Sequence, residues 1–214
     1  MEDPLLLKLT DKSLGKKEVH QEVRADPSLM PKLIEGTSSQ KASVRYGCAR
    51  VLVELSESDP LMVYPYFNSI TDLLSSRYRV LKWDATYILA NLSLVDTERK
   101  FDIIFDKYYD LINDDYMVTV ANVVRSSGKI AVAKPYLADR IAEELLKVED
   151  IPVKPHLTEE CKKVIAEHAI RSLGAFFGNI EKKREVRAFV KRQANSPRRS
   201  LRAEAESFLV KQGK

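Results

Sequence analysis

The chain has 214 residues, 44% of them apolar and 31% charged, which is enough apolar surface to offset ordering entropy and excludes an intrinsically disordered chain. Only 7 Gly and 9 Pro occur, too few turn residues for an all-β fold, so an all-α fold is expected. The net charge of +4 is uneven: residues 181–214 hold eleven Lys/Arg against four Glu, a surplus of +7, which leaves −3 on the rest.

Taken in chain order, residues 1–25 read as an N-terminal cap with short helices over Pro4 to Lys12 and Lys16 to Arg24. Met1-Glu2-Asp3-Pro4 has no basic or long apolar stretch of a secretion signal. Apolar runs such as Leu5 to Leu7 and Val51 to Val53 fall far short of the roughly 18 residues that span a bilayer. Cys48 and Cys161 are the only cysteines, lie far apart and form no CxxC, so two buried free thiols in the cytoplasm are expected.

From residue 26 onward the sequence repeats. The segments starting at Val44-Arg45-Tyr46-Gly47-Cys48, Leu81-Lys82-Trp83-Asp84-Ala85, Val123-Val124-Arg125, Ala169-Ile170-Arg171 and Leu201-Arg202-Ala203-Glu204-Ala205 align on Val53, Ala90, Gly128, Gly174 and Val210, at spacings of 37, 38, 46 and 36. A proline-containing insertion, Asp150 to His156, accounts for the long spacing. In the first segment, positions 44, 48, 51, 52 and 55 make an apolar stripe of helical period, and positions 81, 85, 88, 89 and 92 repeat it. Small residues recur where a neighbouring backbone would come close: Cys48, Ala85, Ala169, Ala205 and the Gly128/Gly174 pair. A second amphipathic stretch precedes each of these, near 27–35, 60–75, 98–112, 135–148 and 181–194. Asp26-Pro27, Asp59-Pro60 and Ser196-Pro197 supply cap-then-proline starts, and Gly36 a stop. The unit is a helical hairpin that buries its stripe only by stacking on the next. Five units are expected near 26–57, 59–96, 97–133, 134–180 and 181–212, in a single domain.

This pattern resembles the HEAT and armadillo class of repeats over roughly residues 26–212. Val44-Arg45, Leu81-Lys82 and Leu201-Arg202 carry the resemblance, and Thr119-Val120 and Ile165-Ala166 depart from it. The resemblance implies a right-handed α-solenoid of about five hairpins, with the second helices lining a concave groove. Their solvent-facing positions then form three ladders. One runs Arg50, Tyr87, Arg125, Arg171, Ser207; another Tyr46, Trp83, Ala121, Glu167, Ala203; the third Gly47, Asp84, Asn122, His168, Glu204. Arg50, Arg125 and Arg171 with Tyr46, Trp83 and Tyr87 suit a partner protein or peptide with acidic groups. The same residues are also ordinary on a solvated helix surface. Lys182, Lys183, Arg184, Arg198 and Arg199 are possible anion contacts, for phosphate or simply as a charged cap on the last repeat. Asp102, Asp106 and Asp110 fall one turn apart, too sparse for a tight cation cage.

A non-enzymatic interaction scaffold is therefore the leading expectation, with nucleic-acid binding through a basic groove and C-terminal end as the alternative. A DNA glycosylase of HEAT-like form is the remoter comparison: the single Trp83 adjoins Asp84, but successive helical residues point about 100° apart. No catalytic residue, metal or cofactor is expected. There is no Gly-rich phosphate loop and no GxSxG, and the only histidines are His20, His156 and His168.

Overall fold

In the computed structural model, residues 3–10 and 15–212 are described. The expected end of the first cap helix at Lys12, the dipeptide Met1-Glu2 and the charge at Lys214 lie outside them. Described residues are almost entirely helical, with one isolated antiparallel bridge, Lys154 to Leu157. The chain divides into two compact units, Met1–Ile104 and Phe105–Lys214.

Unit 1 begins with α1 (Pro4–Leu7), which Asp3 caps by accepting from the Leu5 amide at 2.9 Å. A 3-10 turn, Lys8–Thr10, follows, then α2 (Gly15–Ala25). The first hairpin pairs α3 (Met30–Gly36) with α4 (Ala42–Ser58). The second pairs α5 (Pro60–Val63) and α6 (Phe67–Leu73) with α7 (Arg79–Leu92). The amphipathic stretch at 60–75 is thus broken rather than continuous. Pro65 has no amide hydrogen and its ring crowds the preceding turn, so a 3-10 turn, Tyr64–Tyr66, separates the two pieces. The start of α8 (Lys100–Tyr109) closes the unit.

Both expected stripes face inward. Val44, Cys48, Val51, Leu52 and Leu55 are buried on α4, as are Leu81, Ala85, Ile88, Leu89 and Leu92 on α7, and α4 packs on α7 and α2. Gly36 does end α3, yet its φ is not positive. What needs a glycine there is space, because an added Cβ would collide with the Cys48 sulfur. Cys48 is fully buried, and burial pushes its thiol up to about 12. Cys161 departs from the expectation of a buried thiol. It is half-exposed in the first turn of a later helix, where its amide donates to Thr158 Oγ1 at 3.3 Å.

Unit 2 takes α8 on through a 3-10 turn, Asp110–Asn113, and then runs α9 (Met117–Ala133), α10 (Ala138–Leu146), α11 (Glu159–Phe176), α12 (Lys183–Gln193) and α13 (Arg199–Gln212). Helix α11 packs on both α9 and α13. Gly128 permits the α9–α11 approach: an added Cβ would sit 3.3 Å from the Ser172 Cα. The Ser172 hydroxyl donates to the Val124 carbonyl at 2.7 Å across that seam. The insertion at 150–156 is non-helical as its two prolines require, but it is held. Ile151 and Leu157 are buried, Lys154 and Leu157 exchange backbone hydrogen bonds at 3.0 and 2.9 Å, and His156 stacks on Tyr116 at 4.5 Å.

Of the cap-then-proline starts, Asp26 behaves as expected, accepting from the Ser28 amide at 3.0 Å. Asp59 makes no such bond with its side chain. Ser196 leads into α13, where it accepts from the Arg198 amide at 3.3 Å. The cap that stands out is one the sequence reading passed over. Buried Asp96 accepts from the Lys100 and Phe101 amides at the start of α8, at 2.8 and 2.9 Å, and from the Tyr64 hydroxyl at 2.6 Å.

Candidate binding faces on the inner helices

The longer helices α4, α7, α9, α11 and α13 carry the ladder residues. On unit 1, Tyr46 and Arg50 sit one turn apart on α4, and Trp83 and Tyr87 one turn apart on α7. Arg50 is exposed, and the three aromatics are half-exposed. Tyr46 meets Tyr78 edge to face at 6.3 Å. Between these rings lies the nearly buried Arg45, its guanidinium 3.8 Å from the Tyr78 centroid and 4.7 Å from that of Tyr46. Arg45 also donates to the Ser39 carbonyl, six residues back, at 2.6 Å. Arg202 makes the same reach to the Ser196 carbonyl at 3.0 Å. The arginine that carries the repeat resemblance therefore fastens the turn before its own helix.

Asp84 is half-buried on the unit 1 face. Burial pushes its carboxyl up to about 6, and the Arg50 charge offsets this only in part. Arg50 is itself held by Glu54 at 3.1 Å. Gly47, expected at the surface of the same ladder, is buried instead. The Lys8–Thr10 turn covers it, and an added Cβ would lie 3.0 Å from the Leu9 side chain.

Unit 2 holds Arg125 on α9 and Arg171 on α11, both exposed. Arg171 is engaged within the chain: it donates to Glu204 at 2.9 Å and to Glu167 at 3.3 Å, and the Glu204 bond raises its pKa. Arg198 continues the row, with Glu160 at 2.5 Å and Glu167 at 3.6 Å. Burial pushes the Glu167 carboxyl up, but the Ser200 hydroxyl at 2.6 Å and the charges of Arg171 and Arg198 outweigh it and leave its pKa below the ordinary value. Burial, followed by the charges of Arg171 and Arg125, holds His168 below the ordinary imidazole value.

Part of the basic C-terminal end is engaged within the chain. Lys182 pairs with Glu143, and Arg192 grips Glu149 with two bonds at 2.8 and 2.6 Å. Lys183 lies over the Phe177 ring at 5.7 Å. Arg184 and Arg199 are exposed. Sequence reading missed these pairings although a signal existed. Lys182, Arg192 and Arg198 reach carboxylates 39, 43 and 38 residues back, about one repeat. Asp106, in the acidic row of α8, is bonded to Arg140 at 2.5 Å.

Among solved structures the chain is similar to a designed armadillo repeat protein, with a TM-score of 0.62 at 16% identity, over 96% of this chain and 97% of that one. A second designed armadillo repeat protein, in complex with the peptide (KR)4, matches with a TM-score of 0.59 at 12% identity over 96% and 97%. The Pds5–Scc1 complex matches with a TM-score of 0.57 at 15% identity, over 92% of this chain and 31% of that one. No protein-family model and no curated protein matches the sequence. The chain is thus an α-solenoid repeat protein of armadillo/HEAT type in its fold. Such folds commonly serve as protein-binding scaffolds. No helix among the described residues is long and apolar enough to cross a membrane.

Proposed function

We propose that the protein is a non-enzymatic scaffold that binds a partner protein or peptide on its inner-helix faces. Tyr46, Trp83 and Tyr87 supply flat apolar contact, and Arg50, Arg125 and Arg171 meet acidic groups of the partner. The carrying observation is the half-exposed aromatic set of unit 1, grouped with Arg50 on two packed helices. Peptide-bound and Scc1-bound neighbours of the same fold support the class of partner. Because Asp84 and Glu54 flank Arg50, this face suits a segment with charges of both signs. The free thiols Cys48 and Cys161 support a reducing compartment, the cytoplasm. Pairing of Lys182, Arg192 and Arg198 with carboxylates counts against a phosphate-binding end.

Affinity capture from the native cell, with the partner identified by mass spectrometry, supplies the ligand for the test. Replacing Arg50, Arg125 and Arg171 together by Ala is expected to leave helicity intact and weaken that ligand's binding tenfold or more. Unchanged affinity would overturn the role given to the arginines.

A further inference from the structure

The two inner helices of unit 1 begin side by side in a stretch of chain without acids. Between Glu35 and Glu54 the charged residues are Lys41, Arg45 and Arg50, and between Asp72 and Asp84 they are Arg77, Arg79 and Lys82. These stretches hold the turns that lead into α4 and α7. Neither helix has a side-chain cap or a carboxylate in its first turn, so neither sequence offsets the positive end of its own helix dipole. Arg45 joins the two starts. Its guanidinium donates to the Ser39 and Gln40 carbonyls before α4, at 2.6 and 3.2 Å, and lies 3.8 Å from the ring centroid of Tyr78, the residue that precedes α7. Arg45 is 5% exposed, and its Nε has no hydrogen-bond partner. Arg77 lies over the same ring at 4.8 Å and donates to its hydroxyl at 2.8 Å. Among the described residues no carboxylate pairs with Arg45 or Arg77. A nearly buried guanidinium is thus held by carbonyls and rings alone, with no counter-ion.

Helix starts in unit 2 are neutralised from within. Thr158 caps α11, whose first turn carries Glu159 and Glu160, and Arg198, just before α13, pairs with Glu160. Asp114 and Asp115 precede α9. Unit 1 is not basic as a whole: residues 1–104 hold 14 Lys/Arg and 15 Asp/Glu, so the positive field at its helix starts is local. Lys41, Arg77 and Arg79 are exposed there. We propose that the paired starts of α4 and α7 bind an acidic stretch of a partner protein. Its carboxylates meet Lys41, Arg77, Arg79 and the first-turn amides of the two helices, above the buried charge of Arg45. Two observations favour a peptide over nucleic acid. The rings of Tyr46 and Tyr78 meet each other and carry Arg45 and Arg77, so they serve guanidiniums rather than bases. The acid-free zone also covers only two turns, closed off by Glu35 and Asp72 before them and by Glu54 and Asp84 after them, which suits a short segment better than a duplex. This site goes beyond the inner-face reading and does not rest on it.

The test uses the whole chain and fluorescence anisotropy with four labelled probes: a short peptide of alternating Glu and Ser, its Lys-and-Ser counterpart, and a single-stranded and a duplex DNA of similar charge. The Glu peptide is expected to bind, more weakly as salt rises, and the Lys peptide at least tenfold less well. Arg77→Ala with Arg79→Ala is expected to cost tenfold or more. Arg184→Ala with Lys191→Ala, which removes as much charge from exposed positions of unit 2, is expected to cost less than twofold. Ala42→Asp places a carboxylate on an exposed first-turn position of α4. It is expected to preserve or raise the melting temperature, since an acid there suits the helix dipole, and still to weaken the Glu peptide threefold or more. The triple arginine variant of the inner faces should keep its affinity for the Glu peptide within threefold, so failure of one site is distinguishable from failure of the other. Any of four results would overturn the proposal: no binding of the Glu peptide; equal binding of the Lys peptide; equal losses in the unit 1 and unit 2 double variants, or none with Ala42→Asp; or tighter binding of either DNA that the Arg77 and Arg79 changes abolish, which would make nucleic acid the occupant.

Discussion

In unit 1, three half-exposed aromatic rings stand near a carboxyl that burial has lifted to about 6. In unit 2, the inner-helix surface is a row of ion pairs running Glu160, Arg198, Glu167, Arg171, Glu204. The two surfaces share arginines in one ladder, Arg50 in unit 1 and Arg125 and Arg171 in unit 2, but where unit 1 has Tyr46 and Trp83 unit 2 has Ala121, Glu167 and Ala203. One presents half-exposed aromatic rings beside a carboxyl that burial has lifted. In the other, Arg171 and Arg198 already pair with carboxylates of their own and neighbouring helices, so a partner's acidic groups would compete with Glu167 and Glu204 for Arg171. An arginine in that ladder is not thereby available: Arg50 is held by Glu54 on its own helix and Arg171 by Glu204 on the next inner helix. This contrast is why the aromatic face of unit 1, more than the arginines of unit 2, carries the proposed function.

Three substitutions sharpen the contrast, beginning with the largest effect. Asp96→Ala removes a buried acceptor that serves two amides and the Tyr64 hydroxyl, and is expected to cost about 3 kcal/mol, read as a lowered midpoint in urea unfolding. A loss below about 1 kcal/mol would mean that water replaces the carboxylate. Asp84→Asn works in the opposite direction. In the unfolded chain the Asp84 carboxyl ionises near pH 4, and in the folded chain near 6, so folding retains the proton over that interval and stability falls as pH rises through it. The Asn variant is expected to match the parent below pH 4 and to exceed it by about 1–2 kcal/mol above pH 6, after allowance for the solvent the carboxyl still meets. Equal stability of the two at pH 7 would remove the desolvated carboxylate from the account. Arg198→Ala is the smallest: its bond to Glu160 is exposed and its contact with the half-buried Glu167 is long, at 3.6 Å, so the melting temperature should barely move. A large drop would show that the ion row holds α13 in place.

The hairpin repeat was legible because burial follows period. Every apolar position expected to face inward on α4 and α7 does so. The break at Pro65 was legible in principle, since one proline in an amphipathic stretch already forbids a continuous helix. Gly47 was misread for a different reason. The N-terminal cap covers the first inner helix, and an alignment among repeats has no information about a segment that does not repeat. Asp96 was missed because its buried acceptor role depends on Tyr64, 32 residues earlier in the chain. The candidate aromatics were identified by register alone, whereas the state of Arg171 depends on Glu204, 33 residues away on another helix.

The most direct measurement is the affinity of the captured partner segment for Trp83→Ala and Tyr87→Ala, compared with Arg125→Ala, each checked for an unchanged melting curve. The account predicts a loss of tenfold or more for each aromatic change and a smaller loss for Arg125→Ala. Full affinity in both aromatic variants would contradict it.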